Sequence, residues 1–176
     1  MERTKACTHC GEEKPITEFS KHRHSPDGYA YQCKKCNAKR AKEWRSTPSG
    51  IYTNITGRSN HYKKTGTKVY KPVKISRKDF INWYNSQPKK CVYCDILEED
   101  VMLLSEHYRM NRERLSVDCV ENLNGYYEEN MVLACGRCNF IKGDVFDFDE
   151  MRALAQGHIK PKWIQLKKEK GEKDDI

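Results

Sequence analysis

The sequence predicts an α+β fold built from small zinc-stapled modules, and three observations lead to this prediction. Hydrophobic residues make up only 37% of the chain and charged residues 33%, so a large apolar core is not expected. Eight of the nine cysteines form four Cys-x-x-Cys pairs, a spacing typical of zinc knuckles. Residues 115–142 contain two strand-like segments around a turn at Asn124-Gly125, followed by a predicted helix that opens on a Cys-x-x-Cys pair.

The first two cysteine pairs predict a structural zinc site in an N-terminal module, residues 1–45. Their knuckles are separated by a 22-residue interval, and together they can close a tetrahedral four-sulfur site with no open position. The predicted ligands are Cys7, Cys10, Cys33 and Cys36. A basic helix should follow and end before Ser46-Thr47-Pro48, and it either lies along DNA phosphates or is an ordinary solvated face. Its cationic residues are Lys39, Arg40, Lys42 and Arg45.

Positive charge is concentrated in the first part of the chain. Residues 1–78 contain 19 Lys or Arg and 6 Asp or Glu, a net charge of +13, whereas residues 79–176 contain 14 and 19, a net charge of −5. This asymmetry favours a protein that contacts a phosphate backbone with one part and binds cations with the other. Residues 46–75 are predicted as a basic loop with one or two short strands, which either contacts DNA or is a flexible linker. This segment interleaves Lys63, Lys64, Lys68, Lys71 and Lys74 with Tyr52, Tyr62 and Tyr70.

Residues 76–157 are predicted to form a second domain that begins with a helix. A capping box formed by Ser76 and Asp79 should start this helix, and Pro88 should end it. One face of the helix is predicted to be the core that packs the two zinc modules together. This face comprises Phe80, Trp83 and Tyr84.

A second zinc site is predicted within this domain, across a 40-residue interval between its two cysteine pairs. Its ligands are Cys91, Cys94, Cys135 and Cys138. The polar residues 95–114 are interpreted as an insertion loop. A last helix should begin near Asp147 or Asp149 and bury one face. From Lys160 onward the chain is highly charged, so residues 158–176 are interpreted as a tail that is disordered.

One carboxylate and one amide in residues 115–142 are predicted to converge on a metal ion. Asp118 should lie on the opposite face of its strand from its neighbours, and Asn139 lies at the start of the helix that the second zinc site fixes. Two such oxygen ligands suit a hard divalent cation such as Mg²⁺ and leave positions for water and phosphate oxygens. Lys142, one turn later, could contact the phosphate. These groups would serve phosphodiester hydrolysis, which also needs a base to activate water.

The same residues carry a resemblance to a known family. Asp118, then Gly125-Tyr126 with Asn130, then the C-x-x-C-N-x-x-K segment that ends at Lys142 resemble the HNH, or ββα-metal, nucleases. The resemblance covers about 5 to 45 and 76 to 157, and small two-zinc HNH restriction endonucleases of the rare-cutting Pac type share the order of these motifs. It implies that Asn130 braces the loop and that Asn139 is the final residue of the HNH motif.

The resemblance leaves the activating group open. Cys119 occupies the position where most family members have the histidine that activates water, and Pac-type enzymes have an arginine there and use a tyrosine. Tyr93, in the second zinc knuckle, is therefore one candidate, and its alternative role is that of a packed aromatic residue. Cys119 itself, with an ordinary pKa of about 8.5, and Glu121, two residues further on, are the others. His61 and His107 remain open as well.

The resemblance implies a metal-dependent DNA endonuclease that cuts duplex DNA in the manner of a type II restriction enzyme. It would contain two structural Zn²⁺ ions and one catalytic divalent cation, and a homodimer would read a short palindromic site. The alternatives are a phage, homing or branched-DNA HNH endonuclease and a catalytically silent zinc-containing DNA-binding protein. We find neither a long apolar run nor an export leader, and we expect a cytoplasmic protein of a bacterial or phage-infected cell with no membrane contact.

Overall fold

The computed structural model describes residues 3–66, 70–101 and 114–169. The chain divides into two compact units, one that extends to Thr47 and one that starts at Pro48. Within the described ranges, no helix is long and apolar enough to cross a membrane. The architecture is the predicted mixture of helices and short strand pairs around two clusters of four cysteines, so the predicted fold class is confirmed.

The first unit consists of two antiparallel strand pairs and one helix. Strand β1 (Thr4–Ala6) pairs with β2 (Glu13–Pro15), and β3 (Phe19–Lys21) pairs with β4 (Tyr29–Cys33). A 3₁₀ turn (Ile16–Glu18) connects the pairs, and helix α1 (Lys34–Arg45) follows β4 directly. The buried hydrophobic cluster of this unit consists of Cys7, Phe19 and Cys33. A core of this size provides little stability by itself. A metal ion at the cysteines would therefore be needed to hold the unit together.

The predicted basic helix corresponds to α1. Cys33 caps its N-terminus, because the Cys33 sulfur accepts a hydrogen bond from the Cys36 N–H. The helix ends before Ser46, as predicted, and none of its side chains is buried. Its lysine and arginine side chains are therefore exposed on a helix that the cysteine cluster anchors at one end.

The second unit contains one strand pair surrounded by helices. Strand β5 (Ser116–Cys119) pairs antiparallel with β6 (Met131–Ala134) in a register that sets Asp118 opposite Val132. A 3₁₀ turn (Glu128–Asn130) leads into β6. The helices whose bounds the described residues give are α2 (Pro48–Thr65), α3 (Arg77–Ser86), α4 (Gly136–Lys142), α5 (Phe148–Leu154), a π-helical turn (Ala155–Ile159) and α6 (Lys160–Glu169). Residues 98–101 are also helical, so this part of the expected insertion loop is not a loop.

The predicted loop at residues 46–75 is wrong over most of its length, because 48–65 form helix α2. The segment is rich in Gly, Thr, Ser and Asn, which are weak helix formers, so the sequence shows little helical periodicity. Packing supplies the stability instead. Ile55 is buried, and the Tyr52 ring lies 5.4 Å from the Phe80 ring on α3. Tertiary contacts thus override local propensity here.

Helix α3 forms as predicted. The Ser76 hydroxyl caps its N-terminus by accepting the Asp79 N–H, and the last helical residue is Ser86, two positions before Pro88. Its predicted apolar face is buried and belongs to the core of the second unit.

The C-terminal part of the chain differs from its prediction. Asp147 and Glu150 form a reciprocal capping box at the start of α5, as expected for that helix. The predicted disorder after Lys160 is wrong for α6, because Trp163 and Leu166 are buried in the core. Ile159, Trp163 and Leu166 form an apolar stripe at helical spacing that the surrounding lysines conceal in the sequence. Residues 170–176 lie outside the described ranges, as do most of the expected insertion loop, Lys68 and His107.

Residues 72–74 lie against the turn between β5 and β6. The Tyr126 N–H donates to the Pro72 carbonyl at 2.7 Å, and the Lys74 N–H donates to the Tyr126 carbonyl at 2.8 Å. Gly125 makes this approach possible, because its φ is +82° and a Cβ there would lie 2.2 Å from the Pro72 carbonyl oxygen. Residues 72–74 are therefore attached to the hairpin, which argues against the flexible-linker alternative for this part of the segment.

We predict that Gly125→Ala destabilises the second unit by about 2 kcal/mol or more, because the new Cβ meets backbone and the positive φ is strained. Gly57→Ala is the matched control, since nothing lies within 4 Å of a Cβ at that exposed helical position. The control should be neutral or stabilising by up to about 1 kcal/mol. Chemical denaturation of the full chain measures both values, and equal effects of the two variants would contradict the prediction.

Candidate active site

Each cluster of four cysteines could hold a structural metal ion. In both clusters the four sulfur atoms lie within 4.8 Å of one another, which suits a tetrahedral thiolate site for Zn²⁺. In the first cluster, N–H groups of Cys10 and Cys33 lower the pKa of Cys7 to about 5. The hydrogen bond with the Cys33 sulfur raises the pKa of Cys36 to about 12. Neighbouring sulfurs thus share protons, and a bound cation would replace these protons and favour all four thiolates.

The second cluster fixes the hairpin to the residues around it. The Val92 N–H donates to the Leu133 carbonyl on β6 at 2.9 Å, so the first knuckle is attached to the strand pair. The Cys138 N–H donates to the Cys135 sulfur at 3.4 Å, which begins α4. Tyr93 on the knuckle and Asn139 on α4 are therefore positioned by the same cluster.

Asp118 lies at the centre of a buried polar network. Its Oδ2 atom accepts a hydrogen bond of 2.8 Å from the Tyr93 hydroxyl, and the Lys142 ammonium nitrogen lies 3.6 Å from the same oxygen. Among the described residues, no group donates a hydrogen bond to its Oδ1 atom. The carboxylate is therefore held in one orientation through one oxygen, and the other oxygen is available for a cation.

Strand β5, which carries Asp118, also orients the side chain of Asn139. Its amide nitrogen donates to the Ser116 hydroxyl at 2.9 Å and to the Val117 carbonyl at 3.3 Å. Ser116 and Asp118 share a face of β5 because they are two residues apart. The Asn139 Oδ1 atom accepts no hydrogen bond from the described residues. One carboxylate oxygen and one amide oxygen next to the same strand face are a ligand pair that fits a hard divalent cation.

A phosphate contact would require the Lys142 side chain to reach solvent, and it does not. Its side chain is fully buried, and its ammonium donates to the Cys119 carbonyl at 2.8 Å and to the Asn122 Oδ1 atom at 3.2 Å. The ion pair with Asp118 completes its surroundings. A buried ammonium needs such partners, and here they hold it inside the hairpin.

Asn130 spans the loop that follows β5. Its Oδ1 atom accepts the Glu121 N–H at 2.8 Å, and its Nδ2 atom donates to the carbonyls of Glu121 at 2.9 Å and Gly125 at 2.7 Å. The side chain is buried, so these bonds replace water for the loop backbone. They fix the loop next to Asp118.

The candidate activating groups occupy different environments. Burial raises the pKa of Tyr93, and the negative charge of Asp118 is the second cause of this increase. The Tyr93 hydroxyl donates a hydrogen bond to that carboxylate. Burial also raises the pKa of Cys119 to about 11, and its thiol donates to the Gly125 carbonyl at 3.5 Å. Both groups are therefore protonated near pH 7 in this arrangement. Glu121 and His61 are exposed.

Sequence reasoning missed several residues of the site. The Asn122 side chain accepts hydrogen bonds from both Lys142 and Lys71 and donates to the Gly143 carbonyl at 3.0 Å. Nothing in the local sequence distinguishes this loop asparagine. Ser116 could have been found, because its spacing of two residues from Asp118 places both on one strand face.

The C-terminal helices support the knuckle that carries Tyr93. The Gln156 side chain donates to the Tyr93 carbonyl at 2.7 Å, and the Arg152 guanidinium donates to the Val92 carbonyl at 2.8 Å. The Phe148 ring lies 5.4 Å from the Tyr93 ring. Residues 148–156 thus help to position the partner of Asp118.

An antiparallel strand pair, a following helix pinned by a four-cysteine cluster, and metal-type ligands on the strand and helix define the ββα-metal, or HNH, fold. The solved structure of the rare-cutting HNH restriction endonuclease PacI, described as exhibiting an extraordinary mechanism of DNA perturbation, matches with a TM-score of 0.53. The sequences are 24% identical, and the match covers 91% of this chain and 96% of that chain. The chain therefore has the predicted ββα-metal (HNH) fold. Neither the models of known protein families nor the curated proteins gave a match.

Proposed function

We propose that this chain is a metal-dependent HNH DNA endonuclease that hydrolyses phosphodiester bonds of duplex DNA at a specific sequence. In this proposal two chains form a homodimer, and each holds two structural Zn²⁺ ions at its cysteine clusters. The observation that carries the proposal is the geometry of Asp118. Its Oδ2 atom accepts the Tyr93 hydroxyl, and no described residue donates to its Oδ1 atom. Asp118 shares a strand face with Ser116, which Asn139 contacts.

The residues around the proposed cation each have a separate task. A divalent cation bound by Asp118 and Asn139 would offset the charge that develops on the phosphate and the leaving oxygen. The Tyr93 hydroxyl fixes the rotamer of Asp118, and the buried Lys142 compensates its charge. Asn130 holds the loop, and thus the end of β5, in place. Such prior positioning reduces the reorganisation that is needed during the reaction.

Tyr93, Cys119 and Glu121 are the first candidates for activating the nucleophile, and His61 and His107 stay open. The raised pKa values of Tyr93 and Cys119 disfavour a deprotonated form at neutral pH, whereas Glu121 is an exposed carboxylate on the braced loop. Cleavage rates of Tyr93→Phe, Cys119→Ala and Glu121→Gln compare the three directly. The activating group is the one whose loss removes most of the rate and changes its dependence on pH.

The second candidate function is a DNA-binding protein without cleavage activity. It is favoured by one observation, namely that the residue after Asp118 is a buried Cys119 thiol that already bonds to a carbonyl. Such a thiol is a weak base. In this alternative the zinc sites and the basic helix α1 retain a binding role while the hairpin serves as scaffold.

The test is incubation of the purified protein with plasmid and phage DNA, with and without Mg²⁺, beside the Asp118→Ala variant. Discrete fragments that require the metal and are absent with the variant support a sequence-specific nuclease. Nicking or smearing supports a homing or branched-DNA endonuclease. DNA binding by zinc-loaded protein without any cut under Mg²⁺ or Mn²⁺ supports the silent alternative.

A further inference from the structure

Two lysine ammonium groups share one acceptor beside the proposed metal site. Lys71 and Lys142 both donate to the Asn122 Oδ1 atom, at 2.9 Å and 3.2 Å. Their exposure differs, since the side chain of Lys142 is 0% exposed and that of Lys71 is 22% exposed. We propose that Lys71, and not Lys142, is the cation that contacts the phosphate to be cleaved. This inference rests on the proposed nuclease function.

The hydrogen bonds of the two ammonium groups support this assignment. Lys142 donates hydrogen bonds to the Cys119 carbonyl and to Asn122, and its ammonium forms a buried ion pair of 3.6 Å with Asp118, which is 7% exposed. Lys71 bonds to Asn122, and its contact with Asp144 is longer, at 3.6 Å, to a carboxylate that is 68% exposed. A phosphate oxygen can replace such a solvated partner and form a stronger charge-assisted hydrogen bond. Lys71 is thus able to bind a phosphate without opening the core.

The backbone around Lys71 is fixed to the site from two sides. The buried Ser59 of α2 donates its hydroxyl to the Lys71 carbonyl at 2.7 Å. The next residue, Pro72, accepts the Tyr126 N–H at 2.7 Å from the hairpin. A cation that is held in place before the substrate arrives stabilises developing negative charge more effectively than a mobile one. Helix α2 therefore positions Lys71 as part of the hairpin site.

Lys71 also lies next to the position that most HNH nucleases use for catalysis. It shares the Asn122 Oδ1 atom with Lys142, whose ammonium donates to the Cys119 carbonyl at 2.8 Å. Cys119 follows Asp118 directly in the chain. The segment after α2 thereby supplies a positive charge beside the strand that carries the proposed metal ligand.

The test compares Lys71→Met with Lys78→Met, which removes the same charge from an exposed position on α3. At saturating protein concentration, the single-turnover cleavage rate of Lys71→Met should fall on the order of 100-fold. Enzymes that lose one fixed hydrogen-bond donor to the transition state show a decrease of about this size. DNA affinity measured without added Mg²⁺ should change by less than about 10-fold, which corresponds to one phosphate contact. Zinc content and thermal midpoint should match the wild type. Lys78→Met should cut within about 3-fold of wild type, because one distant charge changes association more than chemistry.

The outcomes separate this inference from the proposed function. If wild type cuts DNA and Lys71→Met cuts at the same saturated rate, the inference is wrong and the nuclease function stands. A loss of affinity with an unchanged saturated rate would also overturn it, because Lys71 would then be an ordinary backbone contact. Lys71→Arg should retain more of the rate than Lys71→Met, since a cation remains. If the wild type cuts nothing, the proposed function fails and this inference fails with it.

Discussion

Replacing Asp118 with alanine should abolish DNA cleavage and also destabilise the second unit by about 3 kcal/mol. Cleavage is lost because the carboxylate is the charged ligand of the proposed cation, and we expect a rate at least about 1,000-fold lower. The destabilisation follows from Lys142, whose fully buried ammonium lies 3.6 Å from Asp118. Removal of one partner from a buried ion pair leaves an uncompensated charge, which typically costs about 3–5 kcal/mol. Single-turnover cleavage and chemical denaturation measure the two effects.

The double variant Asp118→Ala/Lys142→Met separates catalysis from stability. It removes both charges, so it should recover most of the lost stability while remaining inactive. Both zinc sites should stay occupied in both variants, because the cysteines are unchanged. If Asp118→Ala cuts DNA, Asp118 is not the metal ligand. If that variant is as stable as wild type, Lys142 does not depend on Asp118 for compensation.

The two four-cysteine clusters and the hairpin could be predicted because their signals are local in sequence. A Cys-x-x-Cys spacing presents two sulfurs from one knuckle whatever the rest of the chain does. The capping residues Ser76 and Asp147 likewise act on backbone N–H groups three residues away. The order of Asp118 and Asn139 relative to these features predicts them as metal ligands, and this assignment stays a prediction. In the structure, Asn139 donates a hydrogen bond to the Ser116 hydroxyl. Asp118 lies two residues after Ser116 on the same strand, β5.

The remaining features depend on contacts between distant segments. Helix α2 has a composition that is unfavourable for a helix, and it forms because Ile55 and Tyr52 pack against α3. The apolar stripe of α6 is hidden among lysines, so charge dominated the sequence signal. The burial of Lys142 could not be foreseen, because a lysine is nearly always exposed unless its partners are known. Those partners, the Cys119 carbonyl and Asn122, come from the hairpin, 23 and 20 residues before Lys142 in the chain.

The two cysteine clusters should differ in what their loss does to the protein. In the second cluster all four cysteines are buried and belong to the core of the second unit. Cys138→Ser should therefore remove one of the two Zn²⁺ ions, unfold the second unit and abolish cleavage, because metal binding free energy of about 10 kcal/mol or more contributes directly to folding in such sites. Metal analysis, near-UV circular dichroism and the cleavage assay provide the measurements.

Cys10→Ser is the matched control, since Cys10 is exposed in the first cluster. This variant should also lose one Zn²⁺ ion, but the hydrophobic core of the second unit contains no residue of the first cluster, so that unit should keep its near-UV signal. A folded second unit with weakened DNA binding would assign a substantial part of the affinity to the first unit and its basic helix α1. Unchanged folding and zinc content after Cys138→Ser would contradict the prediction, because the second cluster would then contribute no metal-dependent stability to the hairpin that carries Asp118 and Asn139.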